Sequence, residues 1–290
     1  MKIPCQDIAH NLEEQLIQEV HILKSSGKSP KLVTILVGSE PEQISFVNIK
    51  KRTAEKIGVE FELVHLPDEP SYEDFKKIVY EKAHDPTTTG IIIQHPFPKE
   101  YNLEEIYQLI PPEKEIEGHH PDSKFHFPLS IAVLAGIKYI ITNEAGQSNP
   151  VGTIVNFTAD SSMFHTFLEG KNIVIAGRGI TGGAPIAKAL TDIDIAFTVV
   201  HSQTAQPQEI FKSADIIITA TGRKVITAGD IKSGVMLLNV GLRKENGKLK
   251  GDYDEDEIAD IASYYTQTPG GLGPLDVLYL FKNVIEATKV

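Results

Sequence analysis

Residues 171–188, KNIVIAGRGITGGAPIAK, constrain this chain more than any other stretch of it. An apolar run breaks into glycines and then resumes with helical character. Gly177, Gly179 and Gly182 fall in the spacing G-x-G-x-x-G, and Gly183 follows directly. The segment from Asn172 to Ala176 reads as a buried strand, and Ala184 to Leu190 reads as a helix. Glycine lets the chain turn tightly and approach a ligand, and the helix N-terminus behind it presents unpaired N–H groups. Strand, glycines and helix in that order predict a dinucleotide site at the edge of a parallel sheet.

The rest of the chain alternates strand-like and helical segments, which predicts α/β architecture with mainly parallel strands. Helical spacing covers Ile8 to Leu23, Gln43 to Lys56, Tyr72 to Ala83 and Leu129 to Ile141. Strands are expected at Lys31 to Val37, Glu60 to His65 and Gly90 to Gln94. A second set is expected at Asn172 to Ala176, Asp194 to Val200, Asp215 to Thr219, Val235 to Val240 and Ala262 to Thr266. Thr142 to Thr153 reads as a linker. The expectation is two α/β domains facing each other across a cleft. The first spans residues 1–145 and is completed by a C-terminal helix at 275–290. The second, at 146–274, is Rossmann-like and binds NAD(P).

Composition narrows the partners. The formal net charge of −11 argues against nucleic acid, whose phosphates need a basic surface. Cys5 is the only cysteine, so neither a disulfide framework nor a cysteine-based metal site is available. No apolar run reaches membrane-spanning length and the N-terminus does not read as a signal peptide, so a cytoplasmic protein without a membrane partner is expected.

In an NAD site an acid about 20 residues past the glycines ends the second strand and binds the ribose 2′-hydroxyl. Here IAFTVV runs into His201 and Ser202 with no carboxylate. Arg178 sits inside the glycine loop, where a guanidinium can pair with a 2′-phosphate. Both features favour NADP over NAD. The plain alternative makes Arg178 a solvated loop residue and His201 a strand-end cap.

At the other end of the chain, Phe46 and Lys50 are four residues apart and share a helix face. They follow the strand KLVTILV, and Gln94 ends a neighbouring strand in the same sense. Ligands of open α/β sheets bind at such carboxyl ends. Without further information a helical lysine is usually solvated and a phenylalanine usually core.

The chain resembles the bifunctional methylenetetrahydrofolate dehydrogenase/methenyltetrahydrofolate cyclohydrolase family along nearly its whole length. VGSEPEQISFVNIK is similar to V-G-x-x-P-A-S-x-x-Y-V-x-x-K, and GIIIQHPFP to G-I-x-V-Q-L-P-L-P. PPEKEIEGHHP is similar to P-x-K-D-V-D-G-F-H-P, and GRGITGGAP to G-R-S-x-I-V-G-x-P. HSQT, ADIIITATG and TQTPGGLGPLD follow in register with H-S-x-T, A-D-I-x-x-x-A-x-G and T-P-V-P-G-G-V-G-P-M-T. The resemblance implies oxidation of methylenetetrahydrofolate with NADP, hydrolysis of the methenyl product, and a homodimer. It implies that Lys50 is the catalytic lysine, that Gln94 tunes it, that Phe46 packs on the folate and that Glu117 binds the pterin. It also implies that Pro269, Gly270, Gly271 and Gly273 form a loop beside the folate.

Departures from the family pattern carry their own information. Phe46 replaces a tyrosine, Glu117 an aspartate, Gly179 a serine and Asn239 an aspartate. Glu115 is likewise lengthened, Phe125 stands in place of a glycine, and VNFTA around Asn156 replaces P-C-T-P. Two other readings follow: a dehydrogenase with weak or lost hydrolysis, and a non-catalytic folate- or dinucleotide-binding homologue. The run Glu115, Glu117, His119, His120, His126 fits no familiar metal-ligand spacing, so no metal is expected. The acidic run from Asp252 to Glu257 reads as a solvated loop and helix start.

Overall fold

A computed structural model of the protein describes residues 1–152 and 154–289. Thr153, at the end of the expected linker, and Val290, at the end of the expected segment 275–290, lie outside the described residues. The chain divides into two compact units. One comprises residues 13–128 and 277–290, the other 1–12 and 129–276.

The first unit contains most of α1 (Cys5–Ser25), then β1 (Lys31–Val37), α2 (Pro41–Ile57), β2 (Glu60–Leu66), α3 (Tyr72–His84), β3 (Gly90–Ile93) and α4 (Leu103–Gln108). Its strands pair in parallel in the order β2-β1-β3, with Leu32 opposite Gly90 and Ile35 opposite Ile93. The central strand β1 is buried on both faces, which explains why KLVTILV lacks alternation. Val33, Ile35 and Val37 pack against Phe75, Val79 and Ala83 of α3.

The second unit contains α5 (Pro128–Glu144, from Leu129 onward), α6 (Phe157–Leu168), β4 (Ile173–Ala176), α7 (Gly183–Asp192), β5 (Thr198–Val200), α8 (Pro207–Ser213) and β6 (Ile216–Thr219). It continues with β7 (Met236–Asn239), the hairpin β8 (Arg243–Glu245) and β9 (Lys248–Lys250), α9 (Glu255–Ile258), β10 (Tyr264–Tyr265) and the start of α10 (Leu272–Lys289). The parallel order β10-β7-β6-β4-β5 reverses direction of growth at β4, which is where the glycine loop leaves the sheet. Ligands of doubly wound sheets bind at that kind of switch point.

Residues 1–12 and 129–145, expected with the first domain, belong to the unit of the second sheet. The cause is packing. Ile3 donates its N–H to the Tyr265 carbonyl at 2.8 Å, so the N-terminus extends the sheet beside β10. Helix α5 is apolar on all sides, and a Cβ on Gly136 would stand 2.9 Å from Leu238 Cδ2 of β7. The expected strand 194–200 is shorter, because Asp194 turns left-handed (φ 57°) and α7 runs on to Asp192. Helix α6 had no counterpart in the sequence reading. Its N-cap is Asn156, whose side chain accepts the Ala159 N–H, so the VNFTA departure gives a helix start. Among the described residues no helix is long and apolar enough to cross a membrane.

Candidate active site

Helix α2 begins with Pro41 in its first turn and ends at Gly58, a left-handed cap whose N–H returns to the Ala54 carbonyl at 2.8 Å. Gln43, Val47, Ala54 and Ile57 form its buried side. Phe46 is 44% exposed, whereas Lys50 is half-buried. The lysine Nζ donates to Gln94 Oε1 at 2.7 Å.

Gln94 is buried just past β3, and its backbone N–H continues the ladder to Ile35 at 2.8 Å. Its amide is held at both ends: Oε1 accepts from Lys50, and Nε2 donates to the His95 carbonyl at 2.9 Å. The next carbonyl, of Pro96, accepts from Gln43 Nε2 on α2. The sheet end and the helix are therefore tied together around the lysine. Among the described residues Lys50 has no carboxylate partner; a neutral amide is what meets it.

A group of rings lies next to this pair. His95 Nε2 is 2.8 Å from the Tyr107 hydroxyl, and His119 stacks on the Tyr107 ring at 4.4 Å. His95 and His119 are 5.5 Å apart, with Phe127 edge-on to His119 at 4.9 Å. Burial, and then the charge of Lys50, bring His95 down to about 4. Burial and the neighbouring His95 bring His119 down to about 3. Both imidazoles are thus neutral at pH 7. Burial, with Glu117 and Glu115 behind it, pushes the Tyr107 hydroxyl well up, so it keeps its proton. The sequence reading did not single out His95 or Tyr107.

Glu117 is half-buried on the same loop, and its N–H donates to Glu115 Oε1 at 3.0 Å. Glu115 is 1% exposed and also accepts from Gly118 N and His120 N at 3.0 Å each. Burial raises its carboxyl against those donors. The acid-and-histidine run is therefore a loop built on one buried carboxylate, with His119 in the ring stack.

In the other unit, β4 delivers the glycine loop. Gly177 has φ +114°, and a Cβ there would stand 2.4 Å from the Ala220 carbonyl oxygen. A Cβ on Gly183 would stand 2.0 Å from the Gly177 carbonyl oxygen. These two positions exclude any side chain. Gly182 is tight against Ala220 at 3.1 Å, whereas Gly179 faces open space. The loop borders a cavity of about 670 Å³ that includes Arg178, His201, Ser202 and Arg223. The end of β5 carries no carboxylate: His201 N donates to Thr204 Oγ1 at 2.9 Å, and its Nδ1 accepts from Gln203 N at 3.2 Å. Arg223 is a second guanidinium that the sequence reading missed. It could have been found as the first cation after the strand IIIT. Lys224 beside it is neutralised by Asp254 at 2.7 Å and Glu257 at 2.5 Å.

Asp252, expected in a solvated loop, is fully buried. Its Oδ2 accepts the Thr221 N–H at 2.7 Å and so holds the loop after β6 that borders the cavity. Burial raises this carboxyl. Asn239 accounts for its own departure: Oδ1 accepts from Thr219 Oγ1 and Asp252 N, while Nδ2 donates to Gly241 O and Thr268 Oγ1. An aspartate could not make the last two bonds. Pro269, Gly270, Gly271 and Gly273 lie in this unit, on the turn into α10, with Gly270 at φ +85°. The predicted site residues thus fall into two groups: Phe46, Lys50, Gln94 and Glu117 in one unit, and the glycine loop, His201, Ser202 and residues 269–273 in the other.

The sequence matches two family models. "Tetrahydrofolate dehydrogenase/cyclohydrolase, catalytic domain" matches residues 3–117, and the NAD(P)-binding domain of the same family matches residues 153–290. A bifunctional protein FolD of Staphylococcus haemolyticus is 35% identical over 287 residues, covering 98% of this chain and 95% of the relative. The crystal structure of the FolD methylenetetrahydrofolate dehydrogenase/cyclohydrolase of Campylobacter jejuni is similar with a TM-score of 0.80 and 27% identity, covering 100% of this chain and 98% of that one. The Trypanosoma brucei enzyme, solved with NADP cofactor and inhibitor, gives 0.78 and 27%, over 100% and 97%.

Proposed function

The chain belongs to the tetrahydrofolate dehydrogenase/cyclohydrolase family, and from that premise we propose what its sites do. It oxidises 5,10-methylenetetrahydrofolate with NADP and hydrolyses the methenyl product to 10-formyltetrahydrofolate. The observation that carries the hydrolytic half is the 2.7 Å bond between Lys50 and Gln94.

NADP supplies the hydride acceptor. The protein's own contribution to its binding is steric and electrostatic. Gly177 and Gly183 let the loop backbone pack closely against Ala220 and itself, and the helix behind them would offer N–H groups to a pyrophosphate. Arg178 and Arg223, which both line the cavity, would hold a 2′-phosphate where an NAD site would have a carboxylate. His201 and Ser202, which line the same cavity, would hold the ribose. Hydride transfer then requires positioning and exclusion of water rather than an acid or base.

Hydrolysis needs a proton carrier. Water bonds to the methenyl carbon and gives one proton to Lys50 Nζ. That proton returns to N5 as the carbon–N5 bond breaks, and the second proton leaves to solvent. The formyl group stays on N10. Gln94 holds the amine in place without neutralising it by a carboxylate. Phe46 offers its exposed ring to the pterin, Glu117 binds the pterin nitrogens, and Pro269, Gly270, Gly271 and Gly273 bring backbone to the folate. We take the enzyme to be a homodimer, as the family resemblance implies.

Two assays test this: NADPH formation from methylenetetrahydrofolate, and decay of added methenyltetrahydrofolate. Both above background are expected. NADPH formation without accelerated decay would leave a monofunctional dehydrogenase, which the missing Phe46 hydroxyl favours. The absence of both signals would overturn the enzymatic reading.

A further inference from the structure

Two departures from the family motifs meet in space. His95 stands where Q-L-P-L-P has leucine, and His119 stands where D-G-F-H-P has phenylalanine. They lie 24 residues apart in sequence, yet their rings are 5.5 Å apart and share Tyr107 as a neighbour. Tyr107 is 4% exposed and keeps its proton, and its hydroxyl has His95 Nε2 as its bonding partner at 2.8 Å. The hydroxyl therefore donates, Nε2 accepts, and the imidazole proton sits on Nδ1.

This fixes the residue next to Gln94. The His95 carbonyl accepts from Gln94 Nε2, and that bond decides which end of the amide faces Lys50. A glutamine amide released from the His95 carbonyl can turn its NH2 toward the lysine and withdraw the oxygen that accepts from Nζ. A leucine at 95 would leave the Tyr107 hydroxyl buried without a partner.

We propose that His95 is a positioning residue for hydrolysis: locked by the Tyr107 hydroxyl, it holds the Gln94 amide in the orientation that seats Lys50. His119 stacks on Tyr107 and keeps that hydroxyl aimed. The role rests on the assignment of Lys50 to the hydrolytic step.

The test uses the full-length protein with His95→Leu, Tyr107→Phe and His95→Gln. Tyr107→Phe removes one oxygen and keeps the ring, so it probes the bond itself. For His95→Leu and Tyr107→Phe, kcat for methenyltetrahydrofolate hydrolysis should fall about tenfold, the effect of one ordinary hydrogen bond. KM and the rate of NADPH formation should stay within about twofold, since substrate binding and hydride transfer do not use the bond. His95→Gln, which can still accept from Tyr107, should recover part of the loss. In the same variants the Gln94 side-chain amide signals, read by NMR in glutamine-labelled protein, should move toward those of a free glutamine. Unchanged hydrolysis in Tyr107→Phe would overturn the proposal, as would an equal fall in both reactions. If the unaltered protein hydrolyses nothing, the reading of Lys50 fails separately, and the Gln94 signal decides: displaced in Tyr107→Phe it supports the positioning role, undisplaced it removes it.

Discussion

The glycine loop and the lysine pair are built on different principles. At the glycine loop the function is written in the backbone: Gly177 and Gly183 are glycines because atoms 2.4 Å and 2.0 Å away leave no room for a Cβ. At Lys50 it is written in side chains from α2 and the end of β3, 44 residues apart, joined by one 2.7 Å bond. A local steric requirement leaves a local pattern, so the first region can be read from eighteen consecutive letters. A contact between distant elements leaves none, so the second is legible only through resemblance. The two regions should also fail differently when altered.

The sharpest difference is expected from Lys50→Met. If Nζ carries the proton of the hydrolytic step, decay of methenyltetrahydrofolate should slow by about 100-fold or more, in the range of lost acid–base catalysis. NADPH formation should persist within a few-fold. Undiminished hydrolysis would show that the lysine–glutamine pair is a structural contact without a part in the hydrolytic step.

The lysine region also contains half-buried imidazoles, whereas the glycine loop has no comparable group. His95 and His119 are held at about 4 and about 3 by burial, with Lys50 and then His95 adding charge. A free histidine titrates near ~6.5, so the unfolded chain takes up protons first as the pH falls. The stability these rings contribute is complete above about pH 6.5 and is lost through the window down to pH 4 for His95 and 3 for His119. Between pH 7 and 5 the loss for one such ring is about 2 kcal/mol. Urea unfolding at the two pH values should show it in the unaltered chain. The variant His119→Phe, which removes one of the two rings, should lose less by that amount, and an equal loss would mean that the ring is already solvated.

Breaking the backbone region calls for methyl groups instead. Gly183→Ala should cost about 1–3 kcal/mol of stability, the range for overpacking, and weaken NADP binding with it. Gly179→Ala meets open space and should shift stability by no more than about 0.5 kcal/mol. Thermal unfolding of both variants checks the contrast; equal effects would show that the pattern, not its geometry, had been doing the explaining.

What the sequence revealed follows from the same division. The parallel strands were legible because a strand buried on both faces is a continuous apolar run, as at β1 and β6. The glycines and Arg178 were legible because they are local to one turn, and the missing acid because it is local to the end of β5. Arg223, Asp252 and α5 were misplaced or missed because their surroundings are set by other elements. Asp252 looks solvated among Asp254 to Glu257 until the loop at Thr221 closes over it. Helix α5, expected with the first domain, packs in the other unit, where Gly136 meets Leu238. The unit boundaries moved for that reason.

The smallest expected effect bears on Phe46, where the two principles meet. Its ring is 44% exposed on the same face as Lys50, so its place is set by helical spacing and its use by a side-chain contact. Phe46→Tyr restores the hydroxyl of the family motif without disturbing a core. An added hydrogen bond to water or folate is worth about 1 kcal/mol, so hydrolysis should rise by a few-fold while NADPH formation holds steady. If the hydrolytic rate does not move, the lost hydroxyl was no handicap, and the proton path runs through Lys50 without help from its helical neighbour. If it rises only when His95 is intact, the ring stack and the helix act on one lysine, and the side-chain region behaves as a unit in which no single contact can be valued alone.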